Sequence, residues 1–107
     1  KAAALLTKHG LDARLMIDCS HDNAQKDYQR QPVVLAAVAE QAEAGSPHLL
    51  GVMIESHLKA GKQAIPKDLS QLVYGQSITD ACVDFPTTES MLSRLATSVA
   101  RGRTVKV

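Results

Sequence analysis

The sequence predicts an α/β fold in which short parallel strands alternate with helices. The clearest observation is the stretch 49–58, LLGVMIESHL, where an apolar run suited to a buried strand ends abruptly at Glu55. The same pattern occurs twice more, where residues 14–17 run into the polar sequence DCSH and where 77–79 run into Asp80. Three such strands, with polar residues at their carboxyl ends, indicate a parallel arrangement with one ligand-binding face.

The chain begins in the last turns of a helix and continues into the first strand. Residues 1–8 (KAAALLTK) are rich in helix formers, and Gly10 suits the left-handed position that follows a helix. We expect the first strand at 14–18, followed by a polar, turn-prone segment at 20–25.

A helix and a second strand come next. We expect the helix at 28–44, with Pro32 near its first turn, where a missing N–H costs least. Its apolar face follows the helical template at Val34, Leu35, Val38 and Ala42. Gly45 ends the helix and the second strand occupies 48–54, so strand, helix and strand form one βαβ unit.

The remaining elements are a long loop, a third strand and a final helix. Residues 56–76 have no sustained hydrophobic period, which is typical of a functional loop. The third strand is expected at 77–83, and the helix at 89–101 with Thr87 or Thr88 as its cap. The apolar face of this helix would consist of Met91, Leu92, Leu95 and Val99.

The spacing of the strand ends fits one α/β architecture in particular. There are 34 residues from His21 to Glu55 and 25 from Glu55 to Asp80, lengths that suit successive units of a (β/α)8 barrel of about 250 residues. We therefore expect the C-terminal three βα units, with the last three strands, of such a TIM barrel in a single segment, 1–107. A start at Lys1, inside a helix, also suggests a piece of a longer protein.

Composition and charge argue against several classes of function. Only 3% of the 107 residues are aromatic although 45% are hydrophobic, so the core is expected to be aliphatic. A formal net charge of +1 gives no electrostatic basis for a nucleic-acid or membrane partner. Cys19 and Cys82 lack CxxC spacing and favour a reducing, cytoplasmic setting over a disulfide scaffold. The basic tail, 102–107, is expected to fray.

The residues at the strand ends predict a metal site. His21, Glu55 and Asp80 together offer an imidazole and two carboxylates, a ligand set that suits Mn²⁺, Fe²⁺, Co²⁺ or Zn²⁺ and leaves coordination positions open. A divalent ion in such a site polarises a carbonyl oxygen. Spacing alone leaves an equal alternative, in which all three are ordinary solvated residues.

Other polar residues have both a functional and a structural interpretation. His57 is either a donor behind the site or a surface loop histidine, and the second is favoured. Lys26 and Arg30 either hold a phosphate or an acidic substrate or face solvent, which is the commoner case. Cys82 shares a strand face with Asp80, although a small buried hydrophobe is the favoured interpretation.

Three blocks of the sequence resemble a known family. RLMIDCSHDNAQK (14–26), GVMIESHL (51–58) and YGQSITDAC (74–82) are similar, in order and spacing, to the C-terminal part of type I 3-deoxy-D-arabino-heptulosonate 7-phosphate (DAHP) synthases. These enzymes are also called phospho-2-dehydro-3-deoxyheptonate aldolases. The resemblance is to the microbial, feedback-regulated type and extends over essentially the whole chain.

The resemblance implies a metal-dependent, aldol-type transferase as the parent enzyme. The parent would condense phosphoenolpyruvate with erythrose 4-phosphate and water to give DAHP and phosphate, the first step of the shikimate pathway to aromatic amino acids. Matched by motif, His21, Glu55 and Asp80 would be its catalytic residues and metal ligands. A fourth ligand, a cysteine, and the basic residues that bind phosphoenolpyruvate would come from earlier in the barrel. A cytoplasmic homo-oligomer is expected.

Two other interpretations remain open. Unpaired strand edges would allow a non-catalytic fragment that associates with itself and is inactive without the N-terminal part. A Schiff-base aldolase is less favoured, because no lysine stands at any of the three strand ends.

Overall fold

The computed structural model describes residues 1–104, and the end of the predicted tail, 105–107, lies outside the described residues. Within residues 1–104 the strands are β1 (Leu15–Asp18) and β2 (Leu49–Met53), and the α-helices are α1 (Ala2–Lys8), α2 (Gln31–Glu43) and α3 (Phe85–Gly102). Short 3-10 turns lie at His21–Ala24, Tyr28–Arg30 and Leu69–Gln71. The α/β class predicted from the sequence is confirmed.

The sheet and its crossover helix form the predicted βαβ unit. β1 and β2 pair in parallel, with Met16 opposite Gly51 and Asp18 opposite Met53. Pro32 lies in the first turn of α2, as expected, where its missing N–H breaks no hydrogen bond. Gly10 follows α1 with a φ of 72°, the left-handed conformation predicted for it.

The core lies between the sheet and the packed pair of helices α2 and α3. Its buried centre consists of Cys19, Leu35, Val83 and Met91. At the far end of the pair Gly102 lies directly against the carbonyl oxygen of Ala42, where an added Cβ would overlap that oxygen. The two helices therefore approach closely because a small residue stands at their contact.

This close contact changes the buried face of α3 from the one the sequence predicts. Met91 is buried as expected, but Leu92 is 49% exposed and Val99 is 36% exposed. Ser98 and Gly102 are buried instead, because the helices meet along small side chains. Gly102 therefore belongs to the helix and not to the predicted tail.

The predicted third strand, 77–83, is wrong as a regular strand. The segment makes only isolated bridges, including a parallel one between Ser56 and Val83 and an antiparallel one between Gly61 and Cys82. The Ser77 side chain accepts a hydrogen bond from the backbone N–H of Thr79 at 3.1 Å. Such local side-chain bonds compete with a ladder, so the chain bends here and the sheet has two strands among residues 1–104.

The predicted start and cap of the last helix are also wrong. α3 begins at Phe85, and Asp84 is its cap, accepting the N–H of Thr87 at 2.9 Å. Pro86 lies in the first turn, where proline is tolerated, so the helix begins before the threonines. Thr88 is buried and bonds the Ser56 hydroxyl at 2.5 Å.

The long loop at 56–76 is confirmed, with one 3-10 turn as its only helical element. Hydrogen bonds from side-chain amides stabilise the loop. The Gln63 amide makes two bonds to the backbone of Val73: it donates to the carbonyl oxygen at 2.8 Å and accepts a hydrogen bond from the N–H at 2.9 Å. Gln76 donates to the carbonyl of Ala60 at 3.0 Å. The loop therefore has a defined path without a hydrophobic core of its own.

One face of the chain is open. The radius of gyration is 16.8 Å, whereas a compact domain of this length has about 13 Å. Met16 and Leu50 in the strands are 61% and 55% exposed, and α1 buries none of its residues. Among the described residues, no helix is both long and apolar enough to cross a bilayer.

Candidate metal centre

The first part of the site is the tight turn after β1. Asp18 ends the strand, and its two carboxylate oxygens accept the N–H of Ser20 at 2.8 Å and the Nδ1–H of His21 at 2.7 Å. Because an ionised carboxylate only accepts, the Nδ1 of His21 carries the proton. The Nε2 atom faces the carboxylates of Asp80 and Glu55, and it would be the ligand atom once a metal ion replaces its proton.

The backbone at this turn is held in an uncommon conformation. His21, Gln25 and Lys26 have φ values of 46°, 55° and 60°, a left-handed region that residues other than glycine rarely adopt. The N–H of Lys26 donates to the His21 carbonyl at 2.7 Å, and the Asn23 amide donates to the Asp18 carbonyl at 2.8 Å. These bonds offset the cost of the unfavourable backbone conformation. Backbone conformations of this kind are common at functional sites.

Glu55 and Asp80 arrive from two other segments. Glu55 lies two residues after the end of β2, and its backbone oxygen accepts the N–H of Val83 at 3.0 Å. Asp80 lies in the bend that replaces the predicted third strand, three residues before that pairing. The regular strand is lost, but the bend still delivers Asp80 beside Glu55.

The predicted convergence of the three residues is observed in the geometry. One candidate ligand atom from each of His21, Glu55 and Asp80 lies within 4.8 Å of the other two. His21 Nε2 is 3.2 Å from an Asp80 oxygen and 3.4 Å from a Glu55 oxygen. Ligand atoms about 2.0–2.2 Å from one ion lie roughly 3–3.5 Å apart at tetrahedral or octahedral angles, so the two distances from His21 fit a shared metal ion.

The charges around the imidazole reinforce that fit. The hydrogen bond to Asp18, then that to Asp80, raises the pKa of His21 above its ordinary value, and the Glu55 charge adds to this. The side chains of His21 and Glu55 are 44% and 29% exposed, so the site opens to solvent. A cluster of three carboxylates around one imidazole is an environment that a cation would stabilise.

A cavity of about 320 Å³ opens beside the site. Its walls consist of Ser20, His21, Lys26, Tyr28, Lys62, Asp80 and Ala81. Lys26 is therefore next to the candidate ligands, which favours its functional interpretation, whereas Arg30 is exposed and does not line the cavity. The two lysines give the cavity positive charge beside the acidic cluster.

The remaining sequence candidates are not members of the ligand triad. His57 is exposed, and its Nδ1 accepts the N–H of Leu58 at 2.8 Å, which fits the loop interpretation. Cys19 and Cys82 are 0% and 5% exposed, as expected for small buried hydrophobes. Burial raises the pKa of both thiols.

Three residues of the site region were not singled out from the sequence. Asp18 stands three positions before His21 at a strand end, a spacing that could have revealed a carboxylate and histidine pair. Lys62 follows Gly61 in the long loop, and no sequence motif indicates that it lies beside the site. Gln31 is fully buried and bonds the backbone of Glu55, although its sequence position suggests only a polar residue at a helix start.

Parallel strands, a crossover helix and a ligand triad at the strand ends together define an α/β protein with a candidate divalent-metal centre. The DAHP synthetase I family model matches residues 1–93. The chain belongs to this family, and the resemblance seen in the three sequence blocks is confirmed.

Named relatives agree with this assignment. The chain is 54% identical to a phospho-2-dehydro-3-deoxyheptonate aldolase of Alternaria alternata, over 98% of this chain and 28% of the relative. It is 50% identical to the tyrosine-inhibited enzyme of Candida albicans, over 87% of this chain and 26% of the relative. The chain thus spans about a quarter of the length of these relatives.

A solved structure shares the fold of the chain. The phospho-2-dehydro-3-deoxyheptonate aldolase of Francisella tularensis SCHU S4 superposes with a TM-score of 0.87 at 50% identity. The match covers 94% of this chain and 28% of that structure. The local fold described above therefore occurs within a longer enzyme of the same family.

Proposed function

We propose that this chain is the part of a DAHP synthase that supplies three ligands to its catalytic metal ion. The observation that carries the proposal is the convergence of His21, Glu55 and Asp80 within 4.8 Å in a member of this family. The parent reaction joins C3 of phosphoenolpyruvate to the aldehyde carbon of erythrose 4-phosphate. Water then adds at C2 and phosphate leaves, which gives DAHP.

In this proposal the metal-binding residues are His21, Glu55 and Asp80, and the ion is Mn²⁺, Fe²⁺, Co²⁺ or Zn²⁺. The ion, when bound, supplies Lewis-acid polarisation of the aldehyde. Asp18 holds the imidazole with Nε2 directed at the two carboxylates. Lys26 and Lys62 line the adjoining cavity, where their charges attract a phosphate-bearing substrate.

The same proposal explains the open face of the chain. In this proposal the segment 1–107 corresponds to the C-terminal three βα units of a (β/α)8 barrel, with a bend at 77–83 in place of the third strand, and the other units would cover exposed strand residues such as Met16 and Leu50. The elongated shape supports this, because a self-sufficient domain of this length is more compact. The expectation of a cytoplasmic homo-oligomer belongs to the proposal and rests on the family resemblance alone.

A chimera tests the proposal directly. In the Francisella tularensis enzyme, residues 1–107 of this chain replace the matching segment; we call this protein the chimera. We expect it to bind Mn²⁺ and to release phosphate from phosphoenolpyruvate in the presence of erythrose 4-phosphate. The variant His21→Ala should lose metal affinity and turnover together.

The matched control is His48→Ala, since His48 precedes β2 and therefore lies at the opposite end of that strand from Glu55. It should retain both metal binding and turnover. Metal binding and turnover that survive His21→Ala would overturn the ligand assignment. A folded chimera that binds no metal and merely associates would favour the non-catalytic fragment instead.

A further inference from the structure

A buried glutamine lies behind the candidate metal centre. Gln31 opens α2 and is completely buried. Its Nε2 donates to the carbonyl oxygen of Glu55 at 3.0 Å, and its Oε1 accepts the N–H of Glu55 at 2.9 Å. The donor and the acceptor of this one side-chain amide thus both bond the backbone of Glu55, which is a candidate metal ligand.

The position of this bracket matters because the sheet ends just before it. The N–H of Cys19 bonds the Met53 oxygen at 2.9 Å, and β1 makes no bond to the Glu55 backbone. Gln31 supplies there the donor and the acceptor that a neighbouring strand would have supplied. On the other side the N–H of Val83 donates to the same Glu55 oxygen at 3.0 Å. The Glu55 peptide is therefore fixed from two directions beyond the end of its strand.

An amide is suited to this place because the N–H and C=O of Glu55 lie beyond the end of the sheet pairing and need a donor and an acceptor. Burying a glutamine costs desolvation free energy that only good hydrogen bonds offset, and the interior beside it is formed by apolar side chains such as Leu35. A methionine of similar length would fill the same space but would leave the N–H of Glu55 without its partner. The two hydrogen bonds of the amide therefore fix the position of the Glu55 backbone.

We propose that Gln31 is a positioning residue, which fixes the Glu55 backbone so that its carboxylate meets His21 and Asp80 at the metal ion. This inference rests on the proposed metal-binding function. It adds a residue on α2 to a site whose other members all lie at or beyond the ends of strands. Partners of metal ligands typically change metal affinity by about 10–100-fold when they are lost.

The test uses the metal-free chimera carrying Gln31→Met, with Mn²⁺ affinity read from the EPR signal of the free ion during titration. We expect the dissociation constant to rise about tenfold or more. Turnover should recover substantially at saturating Mn²⁺, because the ligands are still present. Gln31→Asn, which keeps a neutral amide but shortens its reach to the Glu55 backbone, provides a second variant if the methionine form does not fold.

The chain offers a matched control in Gln63, whose amide brackets the Val73 backbone in the same way but in the loop. Gln63→Met should lower the melting temperature without changing Mn²⁺ affinity. Gln31 variants that fold and bind Mn²⁺ like the parent chimera would overturn the inference while leaving the proposed function intact. Equal weakening in both glutamine variants would also overturn it, and a parent chimera that binds no Mn²⁺ would overturn both proposals.

Discussion

The carboxylate of Asp18 gives the sharpest prediction about the site. It has two oxygens and serves two donors, the N–H of Ser20 at 2.8 Å and the Nδ1–H of His21 at 2.7 Å. Asp18→Asn leaves one oxygen, so one of these donors must face an NH₂ group in either orientation of the amide. The imidazole then loses its fixed tautomer or orientation, and the Nε2 atom loses part of its basicity.

The expected effect is a loss in metal affinity with the fold retained. Loss of a partner of a ligating histidine typically weakens binding by about 10–100-fold, which is about 1.4–2.7 kcal/mol of binding free energy. We expect this increase in the Mn²⁺ dissociation constant of the chimera, measured by EPR titration. Circular dichroism should show an unchanged fold, since Asp18 is part-exposed and lies outside the apolar core.

Asp22→Asn is the matched control for this experiment. It removes the same charge one residue from His21, yet the Asp22 side chain is exposed and makes no hydrogen bond within residues 1–104. Its Mn²⁺ affinity should stay within about twofold of the parent. An unchanged affinity in Asp18→Asn would refute the proposed role of this contact. Equal weakening in both variants would also refute it and would indicate a general charge effect.

Three further predictions concern the rest of the chain, each measured in the chimera. Leu35→Ala should lower the free energy of unfolding by about 2–5 kcal/mol in urea titration, because Leu35 is 1% exposed at the centre of the core; a loss below about 1 kcal/mol would contradict the packing. The thiols of Cys19 and Cys82 should react slowly with a thiol reagent at neutral pH until urea is added, since burial raises the pKa of both; rapid labelling without urea would contradict their burial. Bonds from the Thr87 hydroxyl and backbone N–H lower the pKa of Asp84. The ionised carboxylate therefore stabilises α3 fully at pH values above the ordinary carboxyl pKa, and this stabilisation is lost as the pH falls through the lowered pKa. The melting temperature of Asp84→Asn should therefore fall below that of the parent at neutral pH by a margin that shrinks in acid, and a margin independent of pH would count against ionisation of the cap.

The features that follow from chain-wide patterns were predictable from the sequence. The apolar run at 49–58 and the helical period of α2 fix a βαβ unit, because burial of one face dictates the period of each element. Parallel strands bring their carboxyl ends together, which groups His21 with Glu55, whereas Asp80 reaches the site from a bend and not from the predicted third strand.

The features that depend on single hydrogen bonds were not predictable in the same way. The Ser77 side chain bonds locally and breaks the expected third strand, and Asp84 caps α3 ahead of Thr87 and Thr88. Competing bonds of this kind differ by small free energies, and tertiary contacts decide between them. The burial of Gln31 depends on where Glu55 ends up in three dimensions, which no periodicity encodes.

The central claim is that this chain places three ligands on one metal ion, and the most direct test is anomalous X-ray diffraction from crystals of the chimera grown with Mn²⁺. We expect a single strong anomalous peak coordinated by His21 Nε2 and by carboxylate oxygens of Glu55 and Asp80. An ordered site without a peak between these residues, or an ion coordinated without one of the three, would contradict it.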